Sequence, residues 1–394
     1  MKVGFVIEGI SNLKIFGPLI RESGKFSLEP VLILSKTGGG KEYDIITLET
    51  ITRYFSEISK DAVYYYGNDT ISEIVRKIDI KAALFINIYS KFTKDILELE
   101  KIGVSTYGLD YFANSIYTAA RKGYEENMEL SLKNLTKRFV ISDYFKQIEF
   151  KIRPENKKFS QKFIVIGTPV TDNFKYIDPI KARKILQLPQ GKKIVTLFTP
   201  NIRRRDLWSM YGLFAKSKIK RIIKIFKKFC EDNGYILVIK SREKQWDSEL
   251  YRKYSDFFVY DPCPFPHASA LLLSVSSLMV HFGSMGVFEA AAAFIPSLGI
   301  EVNAIDALHH YMMSEPRQII KNEMFSDKSG SPFNFGKVSQ GISINESFEN
   351  VSKVCGDLIG LKDEEEYREY NKKFINTYNY DASEKILSRI SKNI

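Results

Sequence analysis

The sequence predicts an α/β protein of two doubly wound, Rossmann-like domains in tandem, facing a cleft. Short β-branched and aromatic runs alternate with longer amphipathic segments, which is the pattern of parallel strands covered by helices on both faces. That alternation occurs twice. Between the two series lies a stretch with prolines where the chain should turn, and 394 residues are long for a single core.

In the first series, "KVGFVI" (2–7), "EPVLILS" (29–35), "AALFINIY" (82–89), "GVSTYGL" (103–109) and "RFVIS" (138–142) are brief, apolar and bounded by polar residues or glycine. They are expected to be buried strands. "DTISEIVRKIDI" (69–80) and "TKDILELEKI" (93–102) carry helical periodicity between them. The second series comprises "KKIVTLFTP" (192–200), "YILVIKS" (235–241), "FFVYD" (257–261), "SLMVHFG" (277–283) and "IPSLGIE" (295–301), with helices expected over Lys216–Phe229 and Val287–Phe294. "KFIVIGTPVTDNFKYIDPIKARKIL" (162–186) joins the series, with Gly-Thr-Pro and Asp-Pro marking turns. The expected domains are 1–172 and 173–375, followed by a charged terminal helix in 376–394 that packs back on the first. "DKSGSPFNFGKVSQGIS" (327–343), rich in Gly and Ser, is expected to be a long surface loop.

Composition narrows the function classes. Hydrophobic residues at 44% and charged ones at 27% describe an ordinary globular chain and exclude disorder throughout. A net charge of +11 favours anionic partners without choosing among nucleotides, lipids and nucleic acid. Cys230, Cys263 and Cys355 fit no metal or disulfide spacing, as expected of thiols in a reducing compartment. "MKVGFVIEGI" runs straight into a strand, and the longest apolar runs are too short for a bilayer. The expected location is the cytoplasm, with peripheral contact at the inner face of the membrane as an option.

One stretch concentrates the chemistry: "MVHFGSMGVFEAAAAFIPSL", Met279 to Leu298. Read as strand, turn and helix, it ends the strand at His281 and starts the helix near Gly286. Gly283 and Gly286 permit a tight turn and close approach of backbone to a ligand. Ser284 is the expected N-cap, and the helix N-terminus suits a phosphate. His281, as a cationic donor, would meet a phosphate oxygen, while Glu289 in the first turn would accept from ribose hydroxyls. Each feature also has a plain structural reading, because such turns are common and a first-turn glutamate answers the helix dipole.

His281, Gly283, Glu289 and Pro296 stand at the spacing of the donor-binding box of GT-B nucleotide-sugar glycosyltransferases: His-x-Gly, Glu six residues after the Gly, Pro seven after the Glu. The chain resembles the bacterial members that build cell-surface polymers, with "SMGV" where plant-type enzymes have Trp-Asn-Ser-Thr. "VIGTPVTDNF" is similar to the hinge of this fold and of the nucleotide-sugar 2-epimerases. The resemblance implies a metal-independent glycosyltransferase without cofactor, whose nucleotide-sugar donor is of UDP, GDP or CMP type and whose acceptor is a glycan or lipid-linked. It implies that His281 and the turn hold the diphosphate, that Glu289 holds the ribose, and that Asn303 or Asp306, after the following strand, touches the sugar. The alternatives within the fold are 2-epimerisation and glycerol- or polyol-phosphate transfer.

Supporting residues sit at other strand ends. Thr199, Asn201, Arg203 and Arg204 follow "IVTLF", and Arg side chains offer bidentate donors to phosphate. Lys240 and Arg242 end "ILVIKS" in the same way. Glu8, after the first strand, is a candidate general base, and Asp110 is its rival. No Asp-x-Asp metal motif occurs. The helix "KSKIKRIIKIFKKF" buries Ile219, Ile222, Ile223, Phe226 and Phe229, and turns Lys216, Lys220, Lys224, Lys227 and Lys228 outward. This Lys216–Lys228 face is either simply solvated or rests on anionic lipid. A non-catalytic nucleic-acid binder is the alternative of another class. It is disfavoured because the cations are spread along the chain and no nucleic-acid module is present.

Overall fold

The structure, a computed structural model, describes residues 1–37, 45–55, 58–67, 69–86, 92–111, 116, 125–200, 210–241, 248–260, 265–301, 315–324, 329–360, 363–377 and 379–393. The chain forms two compact units. The first comprises Met1–Lys175, Pro264–Pro266 and Lys373–Ile394. The second comprises Tyr176–Cys263 and His267–Lys372.

The first unit is built on a seven-stranded parallel sheet in the order β3-β2-β1-β4-β5-β6-β7. Its strands are β1 Lys2–Ile7, β2 Glu29–Ser35, β3 Val63–Tyr66, β4 Ala82–Ile86, β5 Ser105–Leu109, β6 Lys137–Val140 and β7 Phe163–Val165. The order reverses between β1 and β4, so their carboxyl ends open a crevice, the usual binding place in a doubly wound sheet. The inner strands are buried along nearly their whole length, which is why they read as unbroken apolar runs. β3, "VYYY", lies at the sheet edge and is only partly buried, so no apolar run announces it. The terminal helix Ala382–Lys392 belongs to this unit. Its first amides, from Ala382 and Ser383, donate to the buried Asp172 carboxylate at 3.4 and 2.6 Å. Burial pushes that carboxyl up to about 6 against these bonds.

The second unit carries a six-stranded parallel sheet, β10-β9-β8-β11-β12-β13. Its strands are β8 Ile194–Phe198, β9 Ile236–Ser241, β10 Phe257–Tyr260, β11 Leu278–His281, β12 Ser297–Glu301 and β13 Ser339–Ser343. Strand alternation divides the core cleanly. Val195, Leu197, Leu237, Ile239, Leu278 and Val280 face the long helix Met210–Asp232 and the helix Phe348–Gly360. Ile194 and Val238 face the helix Ala268–Leu273 on the other side. Cys230 and Cys355 lie in the first of these layers as buried free thiols, and burial pushes Cys230 up to about 12. Neither is poised to react near neutral pH.

The expected surface loop at 327–343 is a correction. Its described part, from Ser329, folds as a turn with Phe333, Phe335 and Val338 buried, then pairs as the edge strand β13 with β12. Two phenylalanines and a valine within the Gly/Ser stretch supply the apolar area, and the Ser339 hydroxyl donates to the Pro332 carbonyl at 3.0 Å. Among the described residues no helix is long and apolar enough to cross a membrane.

Candidate functional site

The site in the second unit grows from one row of paired residues across four adjacent strands. Lys240 on β9 pairs with Phe198 on β8, Phe198 with His281 on β11, and His281 with Gly299 on β12. Residues paired across parallel strands share a face, and neighbouring strands lie about 4.8 Å apart. Lys240 and His281 thus flank Phe198 at roughly 10 Å from each other, at the β8/β11 reversal of strand order. That is the switch point where doubly wound sheets bind ligands. The row is on the sheet face opposite the Met210–Asp232 helix.

His281 is buried, at 1% exposure. Its Nδ1 accepts from the Ser284 N–H at 3.3 Å, so in the neutral ring the proton resides on Nε2. Burial lowers the imidazole to about 3. This corrects the expectation of a cationic donor: near neutrality the ring carries a neutral Nε2–H, because among the described residues burial acts on it with no carboxylate to offset the desolvation. Two neighbours fix the ring. Phe333 meets it edge to face with centroids 5.6 Å apart, and Gly299 leaves the room it occupies, since a β-carbon there would stand 3.1 Å from Cε1. Gly299→Ala should therefore displace the ring and cost about 1–3 kcal/mol by overpacking. Gly341→Ala, the next position along the row with no heavy atom within 4 Å of its added carbon, should be nearly silent. Urea melts of the two variants check this.

The turn after His281 follows the expected plan with one shift. Gly283 adopts φ 64°, in the left-handed region where glycine is favoured. The helix runs Gly286–Ala292 with Met285 at the N-cap position. Ser284 acts from one residue earlier, its hydroxyl accepting from the Gly286 N–H at 3.2 Å. Two amides of the turn are thus satisfied internally, by His281 and by Ser284. Gly286 serves packing: a β-carbon would meet Met279 Cε at 2.7 Å and Phe198 Cε2 at 3.2 Å. Glu289 is buried in the first turn, 2% exposed.

Lys240 is 4% exposed, and its ammonium stands 5.4 Å from the centre of the Phe198 ring. Thr199 binds the β9 end, its N–H and hydroxyl both donating to the Lys240 carbonyl at 3.1 and 3.2 Å. Thr199 therefore follows β8, Lys240 and His281 lie at the ends of β9 and β11, Gly283 and Ser284 form the turn beyond β11, and Gly286 and Glu289 lie in the helix after it. Asn201, Arg203, Arg204, Arg242, Asn303 and Asp306 lie outside the described residues. The sequence reading missed Phe198, Gly299 and Phe333. Strand register places the first two, and no local signal in the chain encodes register.

In the first unit, Glu8 follows β1 and is half-buried. Its N–H and that of Gly9 donate to Asn12 Oδ1 at 2.8 and 3.3 Å. Tyr66, at the end of β3, is pushed up chiefly by burial and then by the nearby Glu8 charge. Asp110 has a different setting. Its two oxygens accept from Arg138 Nε and Nη2 at 3.0 and 3.1 Å, and Arg138 also donates to Glu149 at 2.5 and 2.6 Å. Arg138, Asp110 and Glu149 are all buried. Such a paired carboxylate is a structural charge rather than a poised base. Among the described residues no cluster of three His, Cys, Asp or Glu could hold a metal ion.

No family model matches the chain, and no curated protein does. Solved structures do match. A UDP-GlcNAc 2-epimerase from Neisseria meningitidis, bound to UDP-GlcNAc, aligns over 100% of both chains at 14% identity, with a TM-score of 0.63. A putative UDP-N-acetylglucosamine 2-epimerase from Listeria monocytogenes aligns over 100% of this chain and 96% of its own, again at 14% and 0.63. The wall teichoic acid polymerase TagF aligns over 100% of this chain and 88% of its own, at 15% and 0.63. Identity this low speaks for architecture alone: the two parallel sheets with their flanking helices are tandem Rossmann-like domains of the GT-B fold, the fold these epimerases and this polymerase share.

Proposed function

We propose that the chain is an enzyme acting on a nucleotide-activated donor, whose diphosphate is held by the second unit, and that it transfers the activated group to a cell-surface glycan or lipid-linked acceptor. The observation that carries this reading is the row Lys240–Phe198–His281–Gly299. It sets an ammonium and an oriented imidazole N–H on one face at the switch point of the sheet. His281 Nε2–H would donate to a phosphate oxygen, Lys240 would supply charge, and Glu289 would accept from the ribose. Asn201, Arg203, Arg204, Arg242, Asn303 and Asp306 would complete the donor contacts. The acceptor hydroxyl oxygen would bond to the transferred carbon or phosphorus as the bond to the leaving phosphate breaks, with Glu8 taking the proton. Stabilising the charge on the departing nucleotide is the main catalytic contribution such a site can make.

The transferred group is either a sugar or a polyol phosphate; the likeness to the TagF polymerase supports the second as much as the box supports the first. The equal likeness to the 2-epimerases supports epimerisation as a further reading. Calorimetry with UDP, GDP, CDP and CMP tests the common core. One of them should bind at micromolar strength and weaken about tenfold (about 1.4 kcal/mol) in His281→Asn and in Glu289→Ala. No binding by the folded protein would remove the reading. Incubation with UDP-GlcNAc in deuterium oxide then separates the branches, since epimerisation at C2 exchanges that proton and transfer does not.

A further inference from the structure

The long helix Met210–Asp232 lies on the sheet face opposite the His281 row, and its outer surface is strongly one-signed. From Met210 to Cys230 the helix contains no acidic residue. Lys216, Lys220, Lys224 and Lys228 follow one another at four-residue steps, a stripe about 18 Å long at 1.5 Å per residue. Beside the stripe runs a shallow groove of about 490 Å³. Lys220, Arg221, Lys224 and Lys228 line it, and Ile225 and Phe348 give it an apolar floor.

Partners elsewhere neutralise only part of this charge. Lys228 pairs with Asp232 at 2.6 Å and stands over the Phe348 ring at 4.4 Å. Arg221 donates from Nη2 to the Asn345 and Glu346 carbonyls, neutral acceptors that leave its charge. Lys224 stands 5.7 Å from the centre of the Tyr254 ring, and among the described residues neither Lys220 nor Lys224 forms an ion pair. At the rim, the exposed Glu349 carboxyl is held below its usual range by its own N–H and the Ser347 hydroxyl, with a smaller contribution from Lys228.

We propose that this face docks on an anionic bilayer surface, with lipid phosphates taken by Lys220, Arg221, Lys224 and Lys228 and the partly buried Phe348 ring at the acyl boundary. Charge complementarity selects the occupant. Long lysine stems over an apolar floor suit an interface that is wet above and apolar below. A bare polyanion in water would make no use of Ile225 and Phe348. The surface is independent of the nucleotide reading, because its residues lie on the other side of the sheet.

Sedimentation of the full chain with vesicles tests the proposal. Binding should require phosphatidylglycerol in the phosphatidylcholine, weaken as salt rises, and fall about 25-fold in Lys220→Gln/Lys224→Gln, about fivefold per cation removed. Nucleotide calorimetry should be unchanged in that double variant, which separates this surface from the donor site; circular dichroism confirms its fold. Phe348→Ser should lower binding further without changing its salt dependence. Equal binding to pure phosphatidylcholine would overturn the proposal, as would an unchanged double variant. So would a single-stranded oligonucleotide that displaces the vesicles and loses affinity through the same two lysines, which would make the face a soluble polyanion site.

Discussion

Arg138→Met should destabilise the first unit by about 3–5 kcal/mol, the usual range when one partner of a buried ionic group is removed. The guanidinium is fully buried and makes paired bonds to Asp110 and to Glu149. Asn156 adds an amide donor to Glu149 at 3.1 Å. Without the arginine, two carboxylates share a dry space with their main source of positive charge gone. Neutralising them as well, in Arg138→Met/Asp110→Asn/Glu149→Gln, should restore most of the loss, because the desolvation penalty leaves with the charges. Urea unfolding of the three proteins decides the matter. If Arg138→Met melts like wild type, the network contributes little and Asp110 regains its standing as a catalytic carboxylate.

That network also shows where the sequence stops being legible. Strands such as "EPVLILS" and "ILVIKS" are readable because burial on both faces demands an unbroken apolar run. The edge strand β3 and the strand β13 were not, since half-exposed tyrosines and a Ser-Gln-Gly run satisfy no such demand. Arg138 sits one residue into β6, and its partners are 28 and 11 residues away, a distance no local pattern spans. In the second unit, the box around His281 was legible as a motif because strand, turn and helix are contiguous. Its supports were not, because Phe198, Gly299 and Phe333 reach the ring through register and a folded-back turn. Placing the cap at Ser284 falls one residue early for a physical reason: its hydroxyl accepts from the Gly286 N–H while its own N–H donates to His281, and Met285 takes the N-cap position.

The imidazole of His281 should make the second unit sensitive to acid. Its folded value is about 3 against 6.5 for the ordinary ring. Below pH 6.5 the unfolded chain takes up a proton on this ring and the folded chain does not. Stability is therefore full above 6.5 and falls as the pH drops from there towards 3, by up to one proton's worth, about 1.4 kcal/mol per pH unit. Over the whole interval that amounts to something on the order of 4–5 kcal/mol. His281→Asn isolates the effect. Its Oδ1 takes the place of Nδ1 and still accepts from the Ser284 N–H, while both the titration and the Nε2–H donor vanish. Denaturant melts at a series of pH values should show a slope shallower by about one proton in the variant. Nucleotide affinity should fall in the same variant at pH 7 and, because the ring stays neutral there, the wild-type contribution should not rise between pH 8 and pH 6. A wild-type affinity that climbs steeply on acidification through 6.5 would mean that the ring is cationic when ligand binds, and that the site opens to solvent before it closes on a phosphate.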